Sequence, residues 1–290
     1  MAASQLFRWQ LRFVWLSLTP ILIYLAVFVV YPFGASIYYS FWDFFWNEPI
    51  GFGNYEEAIF NDPNVRQSFL NTLLYAVIRI PPTIILGFFI ALALNKITRF
   101  RGPLIFGFFA PYVTSMVAYS AVFLYIFSNF GLLNVILQAF GLPTQPFIRS
   151  PSQALPSVAL MDALKHIGFD VLIFMAALQN IPKSLYEAAR IDGATPWQAT
   201  RYITFPLMGP TFLFLTVVIT VWTVQAFEPV YVLTAGGPVG STRTVVYSIW
   251  QAAFLNGRVG YAAALSVLLF VVIALISFVQ LRLGRTRWDY

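Results

Sequence analysis

The stretch IPKSLYEAARIDGATPWQATRYITFPLMGP, Ile181–Pro210, lies between two long apolar segments, too polar to cross a bilayer and too patterned for a loose loop. Pro182 suits a first helical turn, and Ser184-Leu185-Tyr186-Glu187 has the Ser-x-x-Glu form of a capping box. The helix so begun carries Leu185, Ala188, Ala189 and Ile191 and stops at Asp192-Gly193, because glycine accepts the left-handed conformation of a helix end. Thr195-Pro196-Trp197-Gln198 is a second start, with Thr as cap, Pro at the first position and Gln at the third. This second helix is expected to reach about Thr204, where Pro206 limits it. Two short helices with a sharp bend between them, set at a membrane surface, are therefore predicted.

By capping signals alone such a pair is a structural connector. The residues say more. Glu187-Ala188-Ala189, Asp192-Gly193-Ala194, Ile203 and Pro206 resemble the EAA loop of binding-protein-dependent ABC-transporter permeases. The wider pattern Tyr186-Glu187-Ala188-Ala189-x-x-Asp192-Gly193-Ala194, followed by Ile-x-x-Pro-Leu, is similar to the sugar and glycerol-phosphate importers of the maltose-permease type. The resemblance implies that the first short helix is a coupling helix seated in a cleft of a cytoplasmic ATPase.

Composition agrees with a membrane setting. Of 290 residues 59% are hydrophobic and 10% charged, against about 25% charged in soluble domains. Charges so sparse among so many apolar blocks indicate a polytopic membrane protein. Eighteen prolines and seventeen glycines fit, since spanning helices tolerate both. With no cysteine, disulfide and thiolate chemistry are excluded. The net charge of +6 is read through its placement along the chain, as no nucleic-acid partner is implied.

Six apolar segments are expected to span, at about residues 13–39, 69–94, 103–127, 155–179, 207–233 and 261–281, within a single permease domain covering 1–290. The first, after Arg8 and Arg12, lacks a small-residue cleavage site and exceeds the length of a signal-peptide core, so it is read as retained. Phe41 to Arg66 is aromatic and acidic, and its Trp42, Trp46 and Tyr55 suit a headgroup interface. A short amphipathic helix is expected over Leu132 to Phe140. With the N-terminus inside, eleven basic residues fall on cytoplasmic segments: Arg8, Arg12, Lys96, Arg99, Arg101, Lys183, Arg190, Arg201, Arg282, Arg285 and Arg287. Arg66, Arg149, Arg243 and Arg258 fall outside. The positive-inside rule then places both termini and the loop 181–206 in the cytoplasm.

Catalytic and metal signatures are missing: there is one histidine, no H-E-x-x-H and no P-loop, so ATP and its magnesium belong to a separate subunit if transport is ATP-driven. Gly236-Gly237-Pro238 lacks the Lys-Ser or Lys-Thr of a phosphate cradle and reads as a turn at the outer surface; Thr-x-Gly-Gly-Pro after the fifth span also recurs in the family resembled. More informative are ionisable residues at membrane depth, which face a bundle interior or a cavity because a central charge costs roughly 2.5–3.5 kcal/mol on insertion scales. Asp162, Lys165, His166 and Asp170 cluster on the fourth span, with Asp162 and His166 at i and i+4. Two readings stand: local pairing of Asp162 with Lys165 or His166 and of His166 with Asp170, or the wall of a water-filled cavity for a hydroxyl-rich solute. On the fifth span Trp222, Thr223, Ala226 and Glu228 precede Pro229; Trp222 suits either ring stacking on a sugar or plain lipid and helix packing. Arg79, beside Pro81-Pro82, is read as a brace for a kinked helix.

The resemblance carries a mid-membrane substrate site onto Asp162, His166, Phe169, Trp222, Thr223 and Ala226. It implies an all-α membrane protein with six transmembrane helices, the ABC type I importer permease-like fold. It also implies a second, different permease forming a heterodimer, two ATPase subunits and an extracytoplasmic solute-binding protein, in the cytoplasmic membrane of a bacterium or archaeon. ATPase closure would lever the coupling helices and turn the cavity outward, and hydrolysis would reset it. The alternatives are an ABC permease for another solute, such as polyamine or phosphate, or a stand-alone secondary transporter, which often has paired repeats and interrupted helices. An intramembrane enzyme lacks its nucleophile–base or metal set.

Overall fold

The computed structural model describes residues 2–43, 47–97 and 99–284, with side chains from residue 13 onward. Trp46, Arg285 and Arg287 lie outside the described residues, as do the side chains of Arg8 and Arg12. The chain opens with α1 (Ala2–Leu25), which passes through a π-helical turn at Ala26–Val30 into α2 (Tyr31–Tyr39). A minimal antiparallel hairpin, β1 (Trp42–Asp43) and β2 (Glu48–Pro49), and the one-turn α3 (Gly53–Glu56) precede the long α4 (Pro63–Lys96). Next come α5 (Arg101–Val113), α6 (Met116–Ile126), α7 (Leu132–Ala139) and α8 (Ala154–Gln179). The short helices α9 (Lys183–Ile191), α10 (Pro196–Ala199) and α11 (Phe205–Leu207) lead to α12 (Gly209–Val224), α13 (Glu228–Thr234), α14 (Val245–Trp250) and α15 (Val259–Leu283).

Among the described residues three helices are long and apolar enough to cross a membrane, Phe13–Tyr39, Pro63–Lys96 and Val259–Leu283. Even the 25 residues of α15 reach about 37 Å at 1.5 Å per residue, against a hydrocarbon core of about 30 Å. Helix α4 starts at Pro63, earlier than the expected 69, and continues through Pro81-Pro82. The third expected span is not one continuous helix. It breaks at Thr114-Ser115, where Thr114 is extended and Ser115 leaves the helical region at φ −55°, ψ 135°, and α5 and α6 meet at 97°. The fifth is broken as well: Pro196–Leu207 and Gly209–Val224 are bent by 63°, and α12 ends at Val224 before the chain resumes as α13. Pro229 has no N–H to give to the preceding turn, so α12 does not run on into α13. Helix α8, 26 residues long, has the length of a span, with three charged residues inside it.

The loop helices differ from expectation at one end. Helix α9 starts with Pro182 as N-cap and no side-chain cap, so the Ser184–Glu187 box does not form; Ser184 lies already inside the helix. At the other end Gly193 takes φ +77° as expected. The Thr195 box forms in full, Thr195 N–H donating to Gln198 Oε1 at 2.7 Å and Gln198 N–H to Thr195 Oγ1 at 3.3 Å. The second helix passes Pro206, through a π-turn at Thr200–Thr204 into α11, because a proline one position inside a new α-segment has no lost hydrogen bond.

The chain divides into two compact units, Met1–Asp62 with Ile249–Leu268, and Pro63–Ser248 with Leu269–Tyr290. In the first, Asn54 donates to the carbonyls of Ser40 (2.9 Å) and Trp42 (3.1 Å). Arg258 grips Glu57 bidentately at 2.8 and 2.5 Å, which raises the guanidinium pKa, and lies 4.2 Å from the Tyr261 ring centroid. In the second unit α4 and α5 pack on α8, and α12 packs on α4. Its core includes the triangle Phe88, Phe174 and Phe212, with ring centroids 5.5, 5.0 and 4.9 Å apart. Close approach of α5 to α8 depends on Gly168, where a Cβ would fall on the backbone carbonyl of Phe108.

Candidate functional site

A polar cavity of about 330 Å³ opens in the second unit, lined by Arg79 of α4, Met116 of α6, Asp162, Lys165 and His166 of α8, and Trp222 to Pro229 except Thr223 and Val224. Both helix breaks described above adjoin it: Met116 follows the α5–α6 break, and Gln225-Ala226-Phe227 is the gap between α12 and α13. A second cavity of about 330 Å³ between α4, α12 and α15 has a largely apolar lining, including Phe69, Leu73, Val77 and Leu269.

Asp162, 2% exposed, is the electrostatic centre of the polar cavity. Its Oδ2 accepts the Tyr75 hydroxyl at 2.7 Å and lies 2.8 Å from Arg79 Nε, while its Oδ1 is 3.0 Å from His166 Nδ1. Arg79 also donates to the Thr223 hydroxyl, which in turn donates to the Ile219 carbonyl at 2.5 Å. The pairing expected within α8 is thus only partly realised. Arg79, from another helix, takes the place foreseen for Lys165, and both Asp170 oxygens are buried without a hydrogen-bond partner. Lys165 turns away to backbone carbonyls of Pro111, Tyr112 and Thr114. A guanidinium outcompetes the ammonium here because it can serve a carboxylate and a hydroxyl from one planar fork.

The His166 ring lies 2.9 Å, through Nδ1, from the Asp162 carbonyl. A carbonyl only accepts, so Nδ1 carries a proton and donates it there, which leaves the Nε2 edge of the ring free of that bond. His166 and Phe169 approach Trp222 with ring centroids at 6.2 and 5.1 Å, and Tyr112 stacks on Phe169 at 5.3 Å. Trp222 is 36% exposed. Of the six residues put forward from sequence, Asp162, His166, Trp222 and Ala226 line the cavity, Phe169 backs Trp222, and Thr223 is wholly buried behind it, committed to Arg79. Tyr75, Tyr112 and Gln225 escaped the sequence reading. The Pro111-Tyr112-Val113-Thr114-Ser115 run held the only local sign, a proline near a pair of β-favouring and capping residues.

The loop segment is open. On α9, Glu187, Ala188 and Arg190 are exposed, as are Asp192 and Gly193 beyond it, and Ala189 and Ala194 are half-buried. Ile191 at 86% and Trp197 at 62% leave large apolar surface uncovered. Tyr186 faces the other way, its hydroxyl 2.9 Å from Thr204 Oγ1, and with Ile203 and Leu207 packs on the Phe88 core.

Residues 58–288 match the family described as binding-protein-dependent transport system inner membrane component. The chain is 33% identical over 281 residues to the lactose transport system permease protein LacF of Rhizobium radiobacter, covering 94% of each chain. It is 31% identical to the sn-glycerol-3-phosphate transport system permease protein UgpA of Agrobacterium fabrum, covering 95% of this chain and 96% of that one. In fold it is similar to a chain of the crystal structure of a bacterial alginate ABC transporter in complex with an alginate pentasaccharide-bound periplasmic protein, with TM-score 0.82, 23% identity and 94% of each chain covered. The all-α architecture is therefore that of an ABC importer permease, and the chain belongs to the family of inner membrane components of binding-protein-dependent transport systems, a multi-pass transport subunit rather than an enzyme.

Proposed function

We propose that this permease carries a neutral, hydroxyl-rich solute of the carbohydrate or polyol class through the polar cavity at the two helix breaks. The observation that supports the reading most is the pairing of ring faces with fixed polar groups: Trp222 and Phe169, with ring centroids 5.1 Å apart, stand beside His166, whose Nδ1 is held by Asp162 while its ring borders the cavity. A sugar ring has an apolar face and a hydroxyl rim, and pockets of this kind recognise both. Arg79 is engaged by Asp162 and Lys165 by backbone carbonyls, so neither is set aside for an anionic group. The relative named for lactose transport supports the same class. The relative named for sn-glycerol-3-phosphate keeps a phosphate-bearing polyol as a second reading, which requires Arg79 or Lys165 to leave its present partner.

In this reading α8, with its charges turned inward, completes six spans within one permease domain, and the surplus of basic residues supports a cytoplasmic position for both termini and the loop 181–206. The exposed side of α9 and the turn after it, with Glu187, Ala188, Asp192 and Gly193, docks one of two ATPase subunits, which hold ATP and magnesium; this chain needs no cofactor of its own. A second, different permease completes the heterodimer, and a solute-binding protein delivers the solute on the opposite side.

The test is uptake by Trp222→Ala and His166→Ala in the assembled transporter, using a radiolabelled panel of mono- and disaccharides, polyols and glycerol phosphate. Both variants are expected to assemble and to lose uptake at limiting solute. Unchanged uptake in both would move the site elsewhere, and transport of the phosphorylated member alone would favour the second reading.

A further inference from the structure

The break between α5 and α6 leaves the last carbonyls of α5 without helical partners, and within the chain the Thr114 hydroxyl meets that of Pro111 at 2.6 Å. Lys165 reaches them from α8. Its Nζ lies 2.8 Å from the Pro111 carbonyl oxygen, 3.0 Å from that of Tyr112 and 2.6 Å from that of Thr114, and the residue is 4% exposed. An ammonium has three N–H donors and no acceptor, which matches three carbonyls, and a cation is favoured at a helix C-terminus. The same Nζ is 5.6 Å from the Tyr119 ring centroid on α6, so it touches both halves of the broken span. The Tyr112 carbonyl it holds belongs to the residue whose ring stacks on Phe169 and lies 5.8 Å from the His166 ring.

We propose that Lys165 is a positioning residue of the transport site. It caps the broken third span at Thr114-Ser115, and through the Tyr112 backbone it sets the Tyr112 ring against Phe169 and His166. The consequence for transport rests on the reading of the cavity as the solute site; the cap itself does not. The lysine then acts through its three donors and not as a partner for Asp162, whose carboxylate is occupied by Arg79 and Tyr75.

This chain has no native cysteine, so Ser115→Cys gives it a single thiol at the exposed edge of the break, read on this subunit alone after gel separation. In membranes holding the complete transporter, the rate at which this reporter thiol reacts with a small methanethiosulfonate reagent is compared in the Lys165, Lys165→Met and Lys165→Arg backgrounds. The KM for the panel sugar that the wild type takes up is measured beside it. Lys165→Met, of similar shape without a donor, is expected to change the labelling rate of the reporter several-fold and to raise KM about tenfold, with Lys165→Arg restoring most of both. An unchanged labelling rate in Lys165→Met, or an arginine variant as altered as the methionine one, would overturn the cap. A changed rate with an unmoved KM would uphold the cap and overturn the solute-site reading. Should Lys165→Met fail to reach the membrane, Lys165→Leu, likewise without a donor and smaller, carries the same comparison, and a wild-type rate there likewise overturns the cap.

Discussion

Arg79 and Asp162 meet in the interior of the helix bundle with Nε 2.8 Å from Oδ2, their side chains 1% and 4% exposed. Removing one partner from such a pair strands the other charge, at a cost of about 3–5 kcal/mol, whereas replacing both is often far less harmful. Arg79→Met is therefore expected to lower the apparent melting temperature of the purified complex markedly, and Arg79→Met/Asp162→Asn to recover part of the loss. Thermal scans at one fixed rate, compared between variants, check this. A double variant as unstable as the sum of the two single ones would mean that the ion pair contributes no coupling.

On the exposed loop, Glu187 has no side-chain hydrogen bond or ion pair among the described residues that would make it costly to lose. An exposed ion pair is worth about 0–1 kcal/mol, but truncating one partner at a docking surface costs about 2–5 kcal/mol. Glu187→Lys is expected to weaken ATPase docking by ~30-fold or more, with the permease still in the membrane. Purification through a tag on the ATPase reads this directly. Full co-purification with normal solute-stimulated hydrolysis would reduce α9 to a connector.

Gly193 holds φ +77°, with open space where a Cβ would project. The effect of Gly193→Asp is thus conformational, a cost of about 1 kcal/mol at the left-handed turn together with a re-aimed Thr195 cap. Gly193→Asn, which tolerates that region better, is expected to retain more coupled ATPase activity than Gly193→Asp. Equal loss in both would point to the side chain at the docking surface and not to the backbone.

Orientation is tested by cysteines at exposed places. Asn54 is a poor reporter because its amide is buried against the Ser40 and Trp42 carbonyls; Phe52 and Val239 are 73% and 94% exposed. Phe52→Cys and Val239→Cys are expected to react with an impermeant reagent added to intact cells, and Trp197→Cys is not. Labelling of the Trp197 variant from outside would reverse the orientation and remove α9 from reach of an ATPase.

Gly168 predicts a packing limit. Its Cβ would collide with the Phe108 carbonyl, which is backbone and cannot rotate away. Gly168→Ala is expected to separate α5 from α8 and destabilise by about 1–3 kcal/mol, as overpacked sites do. A thermal scan indistinguishable from wild type would show that α5 moves freely on α8.

Helix identity, the amphipathic α7, the end of α9 at Gly193 and the Thr195 cap were legible in the sequence because each depends on residues a few positions apart. So was the candidate stripe on α8, since i and i+4 share a face on any helix. The Ser184 box failed for a reason equally local: Pro182 already supplies the extended N-cap, so the helix begins before Ser184 can cap it. What the chain does with its buried charges was decided only in three dimensions. Asp162 is met by Tyr75 from 87 positions away, Thr223 meets Arg79 across 144, and Lys165 reaches carbonyls 51 to 54 residues earlier. No spacing rule encodes such pairings. They follow from packing α4 and α5 on α8, and from the break in the third span that frees backbone carbonyls beside the cavity, where a buried donor must find an acceptor or cost free energy.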